Sequence, residues 1–293
     1  MSELPERKHA YLIIAHKDPL VLKNLVALLD DERSDIFIHV DAKSHLDVGS
    51  VKASSSRLFF VPRMNVQWGG ESMVACEMNL LKAAVMKGRY QYYHLLSGQD
   101  LPIKDQDYIN QFFDRNLGTE YFDVWPFKYR QSQRTENILL TDGSDCSEYA
   151  YLLDDLSLIR QKECNFKRKR DSRYPHYAGS SWFSITHGAA CHLIASEPEI
   201  VKYFYKGYAA DEVFLQTLLM NSDFSRRLGG SVRYIKGFND AHPFTIRCRD
   251  IPDVRATGCL FARKFDSSID CLSIGETVRM VRGEPLHYEG CEL

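Results

Sequence analysis

Four places in this 293-residue chain set polar side chains at the ends of short apolar runs or at the opening of a helix: His16, Asp41, the Ser97-Gly98-Gln99-Asp100 turn, and the pair Asp211-Glu212. In open α/β sheets ligands sit beyond the carboxyl ends of the strands, so these tips are where chemistry would be done. A carboxylate there can take a proton from an attacking hydroxyl, or accept a hydrogen bond from a ribose hydroxyl. Each position alone is what a helix cap or turn also looks like. Their agreement is what points to one site.

Several chemistries are excluded by what is missing. There is no Gly-x-Gly-x-x-Gly after the first strand and no Gly-x-x-x-x-Gly-Lys-Ser/Thr, which argues against dinucleotide oxidoreductases and P-loop enzymes. Gly-x-Ser-x-Gly and His-Glu-x-x-His are absent too. His39-Val40-Asp41 imitates half of a metal pair, but two alternating strand positions supply too few ligands, and His39 reads as a structural histidine.

The elements that must position these residues follow from the apolar pattern. Tyr11 to Ala15 reads as a buried strand, and Asp18-Pro19 caps a helix whose Leu22, Leu25, Val26 and Leu29 share one face. Further strands are expected over Asp35 to Val40, Leu58 to Val61, Tyr92 to Leu96, Tyr121 to Trp125 and Gly179 to Ile185. Helices are expected over Ser72 to Lys87 (closed by Gly88), Asp107 to Arg115, Glu199 to Tyr205, and Asp211 to Met220. Residues 128–173 are charged and weakly periodic, and read as a long, partly helical insertion. Strands alternating with helices predict an α/β fold with a central, mostly parallel sheet.

Taken together, His16, the stretch Ile38 to Ser44, Val66-Gln67-Trp68-Gly69-Gly70, the stretch Leu95 to Lys104, Gly179 to Phe183, Asp211 to Phe214 and Leu260 to Phe265 resemble the core-2/I-branching enzyme family. That family contains β-1,6-N-acetylglucosaminyltransferases and peptide O-xylosyltransferases, and the matching motifs run from about residue 10 to 266. The resemblance implies one GT-A type domain over residues 1–293, with 8–125 binding the nucleotide sugar and 126–293 carrying acceptor and catalytic residues. It implies an inverting transfer from a UDP-sugar to a carbohydrate hydroxyl, without a metal or other cofactor. UDP-N-acetylglucosamine is preferred as donor, with a UDP-xylose enzyme, a metal-dependent GT-A transferase and a non-catalytic carbohydrate-binding homologue as alternatives.

The same resemblance assigns roles. Glu212 matches the catalytic glutamate, His16 and Asp41 match positions near the uridine, and Ser97, Gly98 and Asp100 stand where most GT-A enzymes carry Asp-x-Asp. A single carboxylate is a poor magnesium cage, which agrees with the metal-free expectation. Lys264 matches a cation that holds the diphosphate. Its partner is to be sought among Arg247, Arg255 and Arg263; alternation along a strand would put Arg263 and Lys264 on opposite faces, which ranks Arg247 first. Acceptor contacts are expected from Glu120, Trp182 and Asp211, and Trp68 and Trp125 are further candidates for stacking on sugars.

Bulk properties set the surroundings. With 37 Lys plus Arg against 39 Asp plus Glu, a net charge of −2 offers no global field for nucleic acid. No run is apolar enough for a membrane span and no signal peptide is recognisable, so a cytoplasmic, bacterial-type homologue is expected, acting on a surface polysaccharide or glycan intermediate. The eight cysteines include no Cys-x-x-Cys and are expected to be mostly reduced thiols.

Overall fold

The computed structural model describes residues 8–126, 136–141, 148–167, 175–239 and 242–287. Its centre is a sheet of β1 (His9–Ala15), β2 (Ser34–Val40), β3 (Arg57–Phe60), β4 (Tyr92–Ser97), β6 (Tyr121–Phe122) and β9 (Phe183–Thr186), while the short β5 (Asp100–Pro102) after β4 belongs to another sheet. The order is β3-β2-β1-β4-β9-β6, where β9 is Phe183–Thr186. The first four strands are parallel, and β9 runs antiparallel to both β4 and β6. All seven residues of β1 are buried, as a strand covered on both faces requires.

Alternation along β1 feeds two cores. Ala10, Leu12 and Ile14 pack with helix α2 (Glu71–Lys87) and the helices between residues 187 and 220. Tyr11, Ile13 and Ala15 pack with α1 (Pro19–Leu29), α3 (Gln106–Arg115) and the C-terminal residues 246–281. Helix α1 begins where expected, its Asp18 carboxylate accepting from Val21 N at 3.1 Å with Pro19 in the first turn.

Two antiparallel pairs, β7 (Trp125–Pro126) with β8 (Tyr177–Ala178) and β11 (Phe238–Asn239) with β12 (His242–Pro243), lie outside the main sheet. A second sheet joins β10 (Arg233–Ile235), β13 (Phe261–Arg263) and β5. Here the structure departs from the sequence expectation, because Asp100-Leu101-Pro102 is a strand and not only a turn. Asp100 pairs with Arg263 across it.

Other departures are local. The Asp211 stretch is not one helix: Ala210–Glu212 is a 3₁₀ turn, Val213 breaks the geometry, and the α-helix runs Phe214–Met220. Of the expected insertion, the helix Glu148–Glu163 is described, while 127–135, 142–147 and 168–174 lie outside the described residues. Cys76, Cys164, Cys191, Cys259 and Cys271 are free, in line with the expectation of mostly reduced thiols, while Cys248 is disulfide-bonded. Cys146 and Cys291 lie outside the described residues. No described helix is long and apolar enough to cross a membrane.

Candidate active site

The strand order reverses between β1 and β4, and the carboxyl ends of those two strands open the site. His16 follows β1, and Asp41 follows β2 with its N–H on Ala15 O at 2.9 Å. The Asp41 carboxylate accepts from Lys43 N at 3.0 Å and lies 3.6 Å from the Lys43 ammonium. Ser44 donates to His16 O, which ties the β2 loop to the end of β1. Gly98 N donates to Ile14 O at 2.8 Å, and a Cβ on Gly98 would come within 2.9 Å of the Ala15 Cβ. Only glycine lets the two strand ends come this close.

The turn after β4 is locked to a segment more than 160 residues away. Gln99 Nε2 donates to Phe265 O at 3.0 Å, and Phe265 N returns a bond to Gln99 O at 2.8 Å. Asp100 accepts from Ser97 N at 2.9 Å through one oxygen and faces Arg263 Nε at 3.5 Å with the other. Asp100 is 1% exposed, and burial pushes its carboxyl up, opposed by Arg263. Arg263 in turn lies 4.1 Å from the ring centre of Trp182. One face of Trp182 is therefore covered by a guanidinium.

Lys264 follows directly on Arg263, the last residue of β13. Burial and the neighbouring charges of Lys17 and Arg263 push its ammonium below the ordinary lysine range. His16 is also pushed down, by burial and then by Lys17 and Lys264. Lys17 pairs with Asp266 at 2.7 Å. Although burial opposes it, the Asp266 carboxyl is held down at about 2 by Lys17 and Ser268. His16, Lys17 and Lys264 thus form a basic cluster at the mouth between β1 and β4. Arg247 is exposed, one residue from Ile246, whose N–H bonds Lys264 O at 2.8 Å.

Glu212 is part-exposed at the end of its 3₁₀ turn, and its carbonyl accepts from Gly179 N at 2.9 Å. Its carboxylate lies within electrostatic reach of Arg263. Asp211 is 8% exposed and accepts from Ser181 Oγ at 2.7 Å. Beneath both, Glu77 of α2 is 2% exposed, and its Oε2 has no hydrogen-bond partner. Burial, then the charges of Asp211 and Glu212, push the Glu77 carboxyl well above its ordinary value.

His16, Asp41, Ser97, Gly98, Asp100, Arg263 and Lys264 are brought together, with Trp182 and Glu212 reached through Arg263 and Asp211 next to Glu212 in the chain. Glu120 is not among them. It is fully buried, its carboxylate accepting from Thr186 N at 2.8 Å and Thr186 Oγ1 at 2.6 Å, which leaves no surface for the acceptor role expected of it. Trp68 is 53% exposed, edge-on to Tyr208 at 6.0 Å. Sequence reasoning missed Lys17, Glu77 and Arg233. Lys17 was signalled by its place next to His16; Arg233, whose guanidinium burial brings down to about 10, carries no local signal.

A family model described as "Branch: Core-2/I-Branching enzyme" matches residues 9–254. No curated protein sequence matches the chain. Among solved structures, mouse Xyloside xylosyltransferase 1 is similar with a TM-score of 0.41 and 10% identity, over 87% of this chain and 97% of that one. S. aureus TarS gives a TM-score of 0.39 and 12% identity over 92% of this chain and 39% of that one. The 4-diphosphocytidyl-2C-methyl-D-erythritol synthase of Anaerococcus prevotii gives 0.39 and 10% over 86% and 96%.

Proposed function

The chain belongs to the Core-2/I-branching enzyme family and is a glycosyltransferase, and from that premise we propose that it moves a sugar from a UDP-sugar, most readily UDP-N-acetylglucosamine, onto a carbohydrate hydroxyl with inversion and without a metal ion. One observation carries the reading. Arg263, held between Asp100 and Trp182, lies within electrostatic reach of Glu212, and the next residue, Lys264, lies within electrostatic reach of Lys17 and His16. A base and a cation cluster thereby flank one cleft.

In the proposed step the acceptor oxygen attacks the anomeric carbon while the Glu212 carboxylate takes its proton. The bond from the anomeric carbon to the diphosphate oxygen breaks with its electron pair, and UDP leaves as an anion. Lys264 and Lys17, with Arg247 beside them, offset that charge, so no acid is required. Asp41 and His16 hold the uridine end. The turn residues do not fit a divalent ion: Asp100 is the one carboxylate of the turn, and it faces Arg263.

The test is a screen of UDP-sugars with purified protein, following UDP release with and without EDTA. Turnover and UDP binding that survive chelation are expected; loss on chelation and recovery with manganese would overturn metal independence. Lys264→Ala should weaken UDP binding by about 1.5–3 kcal/mol. Glu212→Gln should slow transfer about 10²-fold or more with UDP affinity unchanged. Near-normal turnover in folded Glu212→Gln would remove the base from this position.

A further inference from the structure

Three aromatic rings from distant parts of the chain meet at the surface. Trp68 and Tyr208 have ring centres 6.0 Å apart at 77°, and Trp68 and His242 have theirs 5.7 Å apart at 50°. Neither neighbour lies parallel to the indole. Trp68 stays 53% exposed and Tyr208 40%, and His242 is exposed as well. Single apolar residues on a surface are ordinary, but a tryptophan kept open within an aromatic group marks a place where something binds. Trp182, by contrast, has a face covered by the Arg263 guanidinium.

Each ring is tied to a segment of the candidate site. The Lys43 ammonium, beside Asp41, donates to Val66 O at 2.5 Å, two residues before Trp68. Ala209 N donates to Gly69 O at 2.7 Å, which joins the loop of Trp68 to the segment where Tyr208 stands four residues before Glu212. Gly69 has φ +73°, and a Cβ there would come within 3.0 Å of Tyr208 Cε2, so glycine serves both the turn and the approach of the ring. His242 lies on β12, and four residues on, Ile246 N donates to Lys264 O at 2.8 Å. The cluster is thereby anchored to the Asp41 loop, to the Glu212 turn and to Lys264.

The chemistry of the rings selects their occupant. A pyranose has apolar C–H faces and a rim of hydroxyls. Indole, phenol and imidazole each join a flat apolar face to a polar tip, so face meets face and tip meets rim. Recognition of an extended peptide would instead use a free strand edge with pockets for alternate side chains. Resting on the reading of this chain as a transferase to carbohydrate hydroxyls, we infer that Trp68, Tyr208 and His242 form an acceptor subsite, with a sugar ring of the acceptor stacked on Trp68. The same residues then select a saccharide over a peptide as acceptor.

Saturation-transfer NMR with UDP and manganese both present tests this, with N-acetyllactosamine, chitobiose and cellobiose as probes at tens of millimolar beside a serine-rich peptide. At least one of the disaccharides should bind wild type and take saturation from aromatic protons. Trp68→Ala, at an exposed site, should keep the melting temperature and weaken that binding about fivefold or more, while Trp68→Phe should stay within about twofold of wild type. UDP affinity by calorimetry should be unchanged in both variants. Failure of all three disaccharides to bind, or equal binding by folded Trp68→Ala, would overturn the inference. So would binding of the peptide in their place, or a fall in UDP affinity in Trp68→Ala, which would put the uracil on the indole. The readout is saccharide binding and not turnover, so a wrong base at Glu212 or a metal requirement leaves it untouched. The function reading fails separately, by absence of UDP release from every UDP-sugar.

Discussion

The guanidinium of Arg263 lies 4.1 Å from the ring centre of Trp182. With Arg263 Nε also 3.5 Å from Asp100, the side chain is held between an aromatic face and a buried carboxylate. Arg263→Leu strands Asp100 without its nearest cation and should cost about 3 kcal/mol or more in urea unfolding. Adding Asp100→Asn should recover at least half of that. Additive losses in the double variant would show that the pair is not coupled.

Glu120 yields a prediction opposite to the one its sequence setting suggested. Its carboxylate holds the Thr186 N–H and hydroxyl, and Thr186 caps the helix His187–Ala195 by accepting from Ala189 N. Glu120→Ala should lower stability by about 2–4 kcal/mol, through a buried donor pair left unmet and a weakened cap, with acceptor KM unchanged in the folded fraction. A KM raised tenfold at normal stability would restore the acceptor role.

What the sequence made legible was what local pattern encodes. The strands β1, β2 and β4 are continuous apolar runs, and Asp18-Pro19 is a complete helix start, so these elements and the tips His16, Asp41 and Ser97 could be read off directly. Pairing across distance could not be. The strand β5 exists because β13 lies beside it, and no period in Asp100-Leu101-Pro102 announces a partner at Arg263. The helix Cys271–Val281 was hidden for another reason: its inner face includes the buried Ser273 and Thr277, whose hydroxyls bond Asp270 O and Ser273 O. Polar residues on the buried side erase the apolar period.

Two core histidines set the acid limit of the fold. His9 Nδ1 and His94 Nε2 lie 2.8 Å apart, and His94 Nδ1 lies 2.7 Å from Ser184 Oγ, all fully buried. Burial brings His9 down to about 3 and His94 well below its ordinary value. Both are neutral when folded but take a proton near pH 6.5 when unfolded. Stability is therefore intact above that pH and falls as pH drops below it, by about 1.4 kcal/mol per pH unit for each histidine. His94→Gln should make the fall in melting temperature between pH 6.5 and 4.5 clearly shallower. An unchanged slope would place the acid sensitivity elsewhere.

Glu77 has the opposite sign and lies beneath the proposed base. Its folded carboxyl stays protonated well above the ordinary 4.5, while the unfolded carboxyl ionises there. The unfolded state binds fewer protons between those values, so stability is full below pH 4.5 and declines as pH rises toward the folded value. At neutral pH Glu77 is thus a cost to the fold, unlike the paired carboxylate of Asp266. Glu77→Gln keeps the shape and a donor but removes the titration. At pH 8 it should stabilise the protein by at least about 1 kcal/mol, or about 2–4 °C in melting temperature, with the gain vanishing near pH 4.5. Because Gln keeps the shape of Glu77 and places no new charge beneath Glu212, turnover at pH 7 should stay within about threefold of wild type. A variant less stable than wild type at pH 8, and slowed by the same factor as Glu212→Gln, would mean that an ionised Glu77 shares in the chemistry.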